Sequence, residues 1–549
     1  MISTADPRRR ATRNENEAWF RNWPGFAVLL ILVLLALPPA GLGQSNPLKD
    51  ASEKIEAGQA AEAEKILTEF LIKNPASSTA RVLLGVSQDQ QGKTEDAEKN
   101  YRQVLKLRPN DVSALSNLAI VLIKTKREAE ATKTLERVLK LSPGHLQASF
   151  NLASLYVNGK QYAKAIPILE RLTGVGKTSG IPASTDQVLV TTLVSAYASD
   201  GKVERAVAVA KAFRDKFPND SRLGFTLALI LADAREYKTA AEFFTSVEAL
   251  VGKRFEVEYN LGIARYNLNE LDASWTAFQN ALNVNPRSSE VFYRLGLVAS
   301  AKKETENAIG LWLKALEINP EMHEANFLIG EELSGRKAYN GAIDFYKKAA
   351  DAQPDNRLYQ IRYGVNYVRL RLYQEARQVF AKEIRKYPED LNLIYLQGYL
   401  ARAEGDYDEA IESFEKARKG MPDNADVLAN LGFLAYQRGE DERAESILRQ
   451  CLKLDPSNLS AHYDLGRLLM RSGRFDEAIP FLEKGAEVGA DDPGIQYQLF
   501  LAYTRTKQKE KAKLAFAEFK RLEAEQRPPS GSAVSSESAD IPDSIKPEQ

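Results

Sequence analysis

The sequence predicts an all-α solenoid of stacked helical hairpins, and three regularities predict it. An alanine followed twelve residues later by a proline recurs on a 34-residue grid along nearly the whole chain. A small residue stands twelve positions before most of these alanines. Apolar residues surround both at spacings of three and four, which is the period of an amphipathic helix.

The alanine–proline pairs are Ala63 and Pro75, Ala97 and Pro109, Ala131 and Pro143, Ala206 and Pro218, Ala308 and Pro320, Ala342 and Pro354, Ala376 and Pro388, Ala410 and Pro422, and Ala444 and Pro456. Ala165, Ala240, Ser274, Ala478 and Ala512 continue the grid, so that fourteen units fill residues 44–526. The register breaks once, by seven residues between Ala165 and Ala206, which divides the units into 44–186 and 187–526. The small residue is Gly85, Ala119, Ala153, Ala228, Gly262, Gly296, Gly330, Gly364, Gly398, Gly432 or Gly466. Glycine inside a helix costs roughly 0.8–1 kcal/mol relative to alanine, so its repeated use predicts a close helix crossing, with the grid alanine as the other half. Each unit then reads as two short helices, and the proline ends the second or opens the turn after it, because it lacks an amide donor.

The ends have other compositions. Residues 1–43 carry Arg8, Arg9, Arg10, Arg13 and Arg21 ahead of an apolar run at 26–37. Twelve residues rise only about 18 Å as a helix, short of a roughly 30 Å hydrocarbon core, and Gly41 and Gly43 offer small residues for cleavage. The segment reads as an export signal or, uncleaved, as a membrane anchor, with the rest of the chain outside the cytoplasm. Residues 527–549, rich in proline, serine and acidic residues, read as a flexible tail.

Composition narrows the chemistry. Of 549 residues, 44% are hydrophobic and 27% charged, and 74 basic residues balance 74 acidic ones, so no global field favours nucleic acid. One cysteine, Cys451, and three scattered histidines leave little for a disulfide framework or a metal cluster. Residues 174–180, GVGKTSG, suggest a phosphate-binding loop, but Arg171 stands where that motif needs glycine and no strand precedes it, so the segment reads as a plain loop.

With aromatics such as Tyr101, Phe278, Trp312, Tyr346, Phe380 and Phe414 four places after the grid alanine, residues 44–526 closely resemble the tetratricopeptide repeat. The resemblance implies a right-handed α-α superhelical solenoid of about fourteen helix-turn-helix units whose inner groove receives extended peptides or protein surfaces. It also implies that a second face of the first helix lines the groove. One position there carries Phe150, Phe225, Tyr259, Tyr293, Phe327, Tyr395, Tyr463 and Tyr497. The next carries Asn117, Asn151, Asn260 and Asn430, where some members hold a peptide backbone through the amide. The lysine that accompanies such asparagines in chaperone-binding members is replaced by Ser113 and Gln147. Glu256, Glu290 and Glu324 repeat in the middle, whereas Arg362, Arg369, Arg402, Arg467, Arg471 and Arg505 gather toward the C-terminus and suit an acidic segment.

The expected function is a non-enzymatic scaffold outside the cytoplasm that binds peptide or protein segments, with no cofactor, metal or catalytic residue. The alternative is a regulatory or substrate-recruiting subunit of an envelope enzyme complex, such as a glycosyltransferase or a polysaccharide-export system.

Overall fold

The structure, a computed structural model, describes residues 46–176, 183–489 and 491–526. The N-terminal segment read as an export signal or anchor, the segment at 527–549 and part of the GVGKTSG loop lie outside the described residues. Among the described residues there are 28 α-helices and no strand. The described residues divide into two compact units, one ending at Lys302 and the other beginning at Lys303.

The N-terminal unit contains helices α1–α15, of which the first fourteen pair as seven hairpins. Its opening hairpin is α1 (Pro47–Glu56) with α2 (Ala60–Lys73), and its last helices are α13 (Phe255–Asn267), α14 (Leu271–Val284) and α15 (Ser289–Ala301). The C-terminal unit contains α16 (Thr305–Ile318) and six hairpins: α17 (His323–Gly335) with α18 (Tyr339–Ala352), α19 (Arg357–Arg369) with α20 (Tyr373–Lys386), α21 (Leu391–Glu404) with α22 (Tyr407–Gly420), α23 (Ala425–Gln437) with α24 (Asp441–Leu454), α25 (Leu459–Arg471) with α26 (Phe475–Val488), and α27 (Pro493–Arg505) with α28 (Lys509–Gln526).

Local chemistry sets both ends of the first helices. Side chains at one repeat position accept from a backbone amide of the first turn: Ser77 from Ala80, Asp111 from Ala114, His145 through Nδ1 from Ala148, Asp220 from Leu223 and Asn458 from Ala461, at 2.9–3.3 Å. Beyond the other end of each first helix, counting α15, one residue stands in the left-handed region. It is glycine at Gly58, Gly92, Gly201, Gly405, Gly439 and Gly473, but a side-chain-bearing residue at Lys126, Lys160, Arg235, Asn269, Lys303, Lys337, Arg371 and Lys507. In the first hairpin the Gln59 amide reaches back to the Lys54 carbonyl at 2.8 Å and the Gly58 amide to Ile55 at 3.1 Å, closing a Schellman turn. The grid prolines stand two residues past the second helix, as at Pro109 after Leu107 and Pro388 after Lys386, so they open the inter-hairpin turn.

The helix crossing is as tight as the glycines suggest, but its main partner differs from the expected one. A Cβ on Gly85 would lie 2.6 Å from the Tyr101 ring, on Gly364 2.4 Å from the Phe380 ring, and on Gly466 2.4 Å from the Leu482 side chain. The residue four places after the grid alanine therefore fills the glycine's place. The grid position packs close by as well, since Ser274 Oγ donates to the Gly262 carbonyl at 2.8 Å. Where the pattern fails, the packing follows: Phe500 replaces the small residue in α27, and its counterpart Phe516 is 40% exposed, whereas Tyr101, Phe380 and Leu482 are at most 1% exposed.

Hairpins stack through this core and through ion pairs between successive second helices, such as Arg102–Glu130 at 2.6 Å and Arg443–Glu415 at 2.9 Å. Stacking continues on both sides of the seven-residue insertion. Tyr197 donates to the Glu170 carboxylate, Arg205 lies 3.3 Å from the same group, and the Ser184 amide donates to the Thr173 carbonyl at 2.9 Å.

Candidate functional site

The aromatic position of the first helix packs against the residue that the glycine admits. Ring centroids of Phe225–Phe244, Tyr259–Phe278, Phe327–Tyr346 and Tyr395–Phe414 lie 5.5–6.1 Å apart, edge to face. Tyr293, Phe327 and Tyr395 are only 2–4% exposed, so these three are packing residues and leave the set of groove contacts. Burial also pushes the Tyr395 phenol up from its usual range. Phe150, Phe225, Tyr259 and Tyr463 are half-buried, and Tyr497 is exposed; these five keep a face toward solvent.

The asparagines are turned inward along their own helices. Asn117 and Asn260 donate from Nδ2 to the carbonyls of Ser113 and Glu256 at 2.9 and 2.8 Å, an i to i−4 bond that uses the amide locally. Asn430 does the same to Asp426 at 2.8 Å and also reaches the Tyr395 hydroxyl at 3.3 Å. Asn151 accepts from Gln147 at 3.0 Å. Asn151 and Asn430 are buried, so neither is presented to a peptide backbone.

At this same repeat position two buried charges take the place of the amide. Arg294 lies 3.0 Å from Glu290 and near the rings of Tyr259 and Tyr293, while the Tyr259 hydroxyl donates to Glu290 at 2.9 Å. Glu324, on the same acidic position as Glu290, lies 3.5 Å from His323. In the C-terminal unit Asp464 is 5% exposed. Desolvation pushes its carboxyl up to about 6, opposed by the fields of Arg467 and Arg402. The three histidines have structural places: His145 caps its helix, His323 meets the Tyr359 hydroxyl at 3.1 Å, and His462 meets the Pro456 carbonyl at 2.9 Å.

Five of the six arginines singled out in the C-terminal half lie on aromatic rings. Arg402 is 4.7 Å from the Phe433 ring and 5.5 Å from that of Tyr399. Arg467 is 5.1 and 5.3 Å from Tyr436 and Tyr463, and 3.9 Å from Asp464. Arg471 covers Tyr436 at 4.0 Å and pairs with Asp441, Arg369 covers Tyr339 at 5.4 Å, and Arg505 covers Phe475 at 6.0 Å. Sequence reasoning separated the aromatic and basic residues; the fold makes them one surface on α21, α23 and α25. A guanidinium stacked on a ring has lost much of its freedom, and stacking leaves its in-plane N–H donors able to meet a carboxylate. Arg402 has no ion pair among the described residues.

Arg362 and Arg369 belong to a different feature. With Glu331, Ser334, Tyr346 and Asn366 they line an open cavity of about 150 Å³ formed by α17, α18 and α19. Of these, only the arginines stood out in the sequence as site residues. No group of three or more His, Cys, Asp or Glu among the described residues is arranged to hold a metal ion. No described helix is long and apolar enough to cross a membrane.

The repeated hairpin with an admitted large residue, a left-handed turn and a stacked neighbour defines a helical-repeat protein. The tetratricopeptide-repeat signature matches residues 48–98, 90–140, 129–178, 191–251, 259–323, 401–450 and 442–502, and the chain belongs to the tetratricopeptide-repeat family. No protein of curated function matches the chain in sequence. Among solved structures, the Cut9–Hcn1 hetero-tetramer of the APC/C is similar at 14% identity, covering 82% of this chain and 95% of that one with a TM-score of 0.35. Yeast Tom70 is similar at 16% identity, with 82% and 96% covered and a TM-score of 0.30. MamA is similar at 25% identity over 29% of this chain and 92% of its own, with a TM-score of 0.27.

Proposed function

We propose that this protein is an extracytoplasmic interaction scaffold that holds segments of other proteins along its first-helix face, with the C-terminal unit taking an acidic segment. Family membership supports the scaffold. The observation that carries the finer reading is Arg402 and Arg467, held on the rings of Phe433, Tyr399, Tyr436 and Tyr463. The half-buried rings of Phe433, Tyr436 and Tyr463 offer contact area at low entropic cost, and the two guanidinium groups supply charge that Asp464 answers only in part. The basic and apolar composition of residues 1–43 supports export.

The test is a titration of the purified chain with acidic, neutral and basic fluorescent peptides of one length. Acidic peptides should bind preferentially, more weakly as salt rises, and Arg402→Glu with Arg467→Glu should abolish the preference. Equal binding of all three peptides would remove the acidic-segment reading. Export is tested by the intact mass of the mature protein from its host: loss of the N-terminal segment or recovery in the membrane fraction supports it, and a full-length cytosolic product opposes it.

A further inference from the structure

In the eleven units that carry the small residue of the first helix, the residue just before it is a buried leucine in eight, from Leu84 to Leu465. Ile329 and Tyr363 are also large. Of the eleven, only Gln397 in α21 brings an amide in place of a branched or aromatic body. An amide in an apolar interface needs a partner, and Gln397 Nε2 donates to Glu409 of α22 at 3.0 Å, a carboxylate that also accepts from Arg377 Nη1 at 3.0 Å. The glutamine is thereby drawn toward its own hairpin, away from α20.

What remains is an open cavity of about 270 Å³ lined by Phe380, Ala381 and Ile384 of α20 and Leu400 of α21, with Arg377, Arg385 and Gln397 as its polar groups. Phe380 and Leu400 are each 1% exposed and form an apolar floor, which water serves poorly and an apolar side chain serves well. The charge beside it is one-sided. Arg377 is answered by Glu404 and Glu409 at 2.5 and 3.0 Å, but the exposed Arg385 makes no ion pair among the described residues. Neither does Lys382, its neighbour one turn back on α20. An apolar floor beside two unanswered cations fits an apolar residue flanked by carboxylates.

The chain itself carries such a residue outside the described helices. In the stretch DIPDSI at 540–545, Ile541 stands between Asp540 and Asp543. The apolar run at 26–37, by contrast, has no carboxylate beside it. Ile541 comes fifteen residues after Gln526, the end of α28. That length spans at most about 50 Å. The hairpins of α20 and α28 are four steps apart within the C-terminal unit, and the first helices α23, α25 and α27 of successive hairpins meet, so each step is roughly one interaxial distance of 8–10 Å. Four steps amount to roughly 32–40 Å, within reach of the segment.

We infer that the cavity between α20 and α21 is a docking site for this chain's own C-terminal segment, with Ile541 in the cavity and its flanking aspartates on Arg385 and Lys382. This self-contact goes beyond the scaffold reading and does not depend on it.

The test places a photoreactive diazirine residue at Ser544 of the full chain and irradiates the dilute protein. Adducts of single-chain mass should form and map to α20 and α21. Gln397→Leu, which supplies the leucine of the other units, should cut their yield by about tenfold or more, and so should Ile541→Asp. Arg385→Glu should cut it several-fold, by a factor that shrinks as salt rises. Thermal unfolding shows whether the Gln397→Leu chain folds; Ile541→Asp, outside the described helices, leaves their packing intact and decides the question by itself. The inference is overturned if no adduct forms, if adducts map only elsewhere or only join two chains, or if their yield is undiminished in Ile541→Asp or in well-folded Gln397→Leu. Acidic-peptide binding at Arg402 and Arg467 is measured separately, so failure of the docking site leaves the scaffold reading standing.

Discussion

The Phe380 ring occupies the place of the side chain that Gly364 lacks: a Cβ there would lie 2.4 Å from the ring. An alanine would favour the helix by roughly 0.8–1 kcal/mol, but overpacking the crossing costs typically 1–3 kcal/mol. Gly364→Ala should therefore lose about 1–2 kcal/mol in urea unfolding. Gly310, in α16, meets nothing within 4 Å, so Gly310→Ala should instead gain about 0.5–1 kcal/mol. Equal effects at the two sites would contradict this account of the crossing.

The left-handed turn residues make the opposite prediction. Lys126, Lys160 and Arg371 adopt φ of 58°, 56° and 59° with a Cβ present. Glycine removes that penalty of roughly 1–2 kcal/mol while losing some unfolded-state advantage, so Lys126→Gly or Arg371→Gly should raise stability by about 0.5–1 kcal/mol. Gly439→Ala should lower it by a similar amount. Denaturant midpoints read both.

Asp464 predicts a pH dependence. Its carboxyl titrates near 6 in the folded chain against an ordinary 3.8, so between those values the folded state binds more protons and stability falls as pH rises. The span corresponds to roughly 3 kcal/mol. Asp464→Asn should remove this slope and be the more stable form near neutral pH. A wild-type curve that rises through that window would contradict the burial of an uncompensated carboxyl.

Cys451 should be silent. It is fully buried, its thiol donates to the Ala425 carbonyl at 3.2 Å, and burial pushes it up to about 12. Reaction with a thiol reagent should track unfolding of α23–α25 rather than reagent concentration, as measured by mass-shift kinetics.

The repeat was legible because one 34-residue phase fixes which residues meet: Gly85 with Tyr101, Gly466 with Leu482. The left-handed turns were not, because lysine, arginine or asparagine fills eight of the fourteen positions and nothing in those residue types announces the conformation. The aromatic stripe was legible as a position but not as an exposure. Tyr293 and Tyr497 are equivalent in the repeat, yet they are 2% and 40% exposed, since the neighbouring hairpins decide what covers each ring. The cavity at Arg362 was hidden for the same reason: Glu331, Asn366 and Tyr346 come from three helices and converge only when the hairpins stack.

The most direct test of the scaffold reading is photocrosslinking in the native host, with the photoreactive residue at Tyr463 or Tyr497, which face solvent on the first-helix side. The account predicts discrete adducts that map to an acidic segment of a partner protein and disappear when Arg402 and Arg467 are replaced by glutamate. Adducts that persist in that variant, or that form only from positions on the second helices, would contradict it.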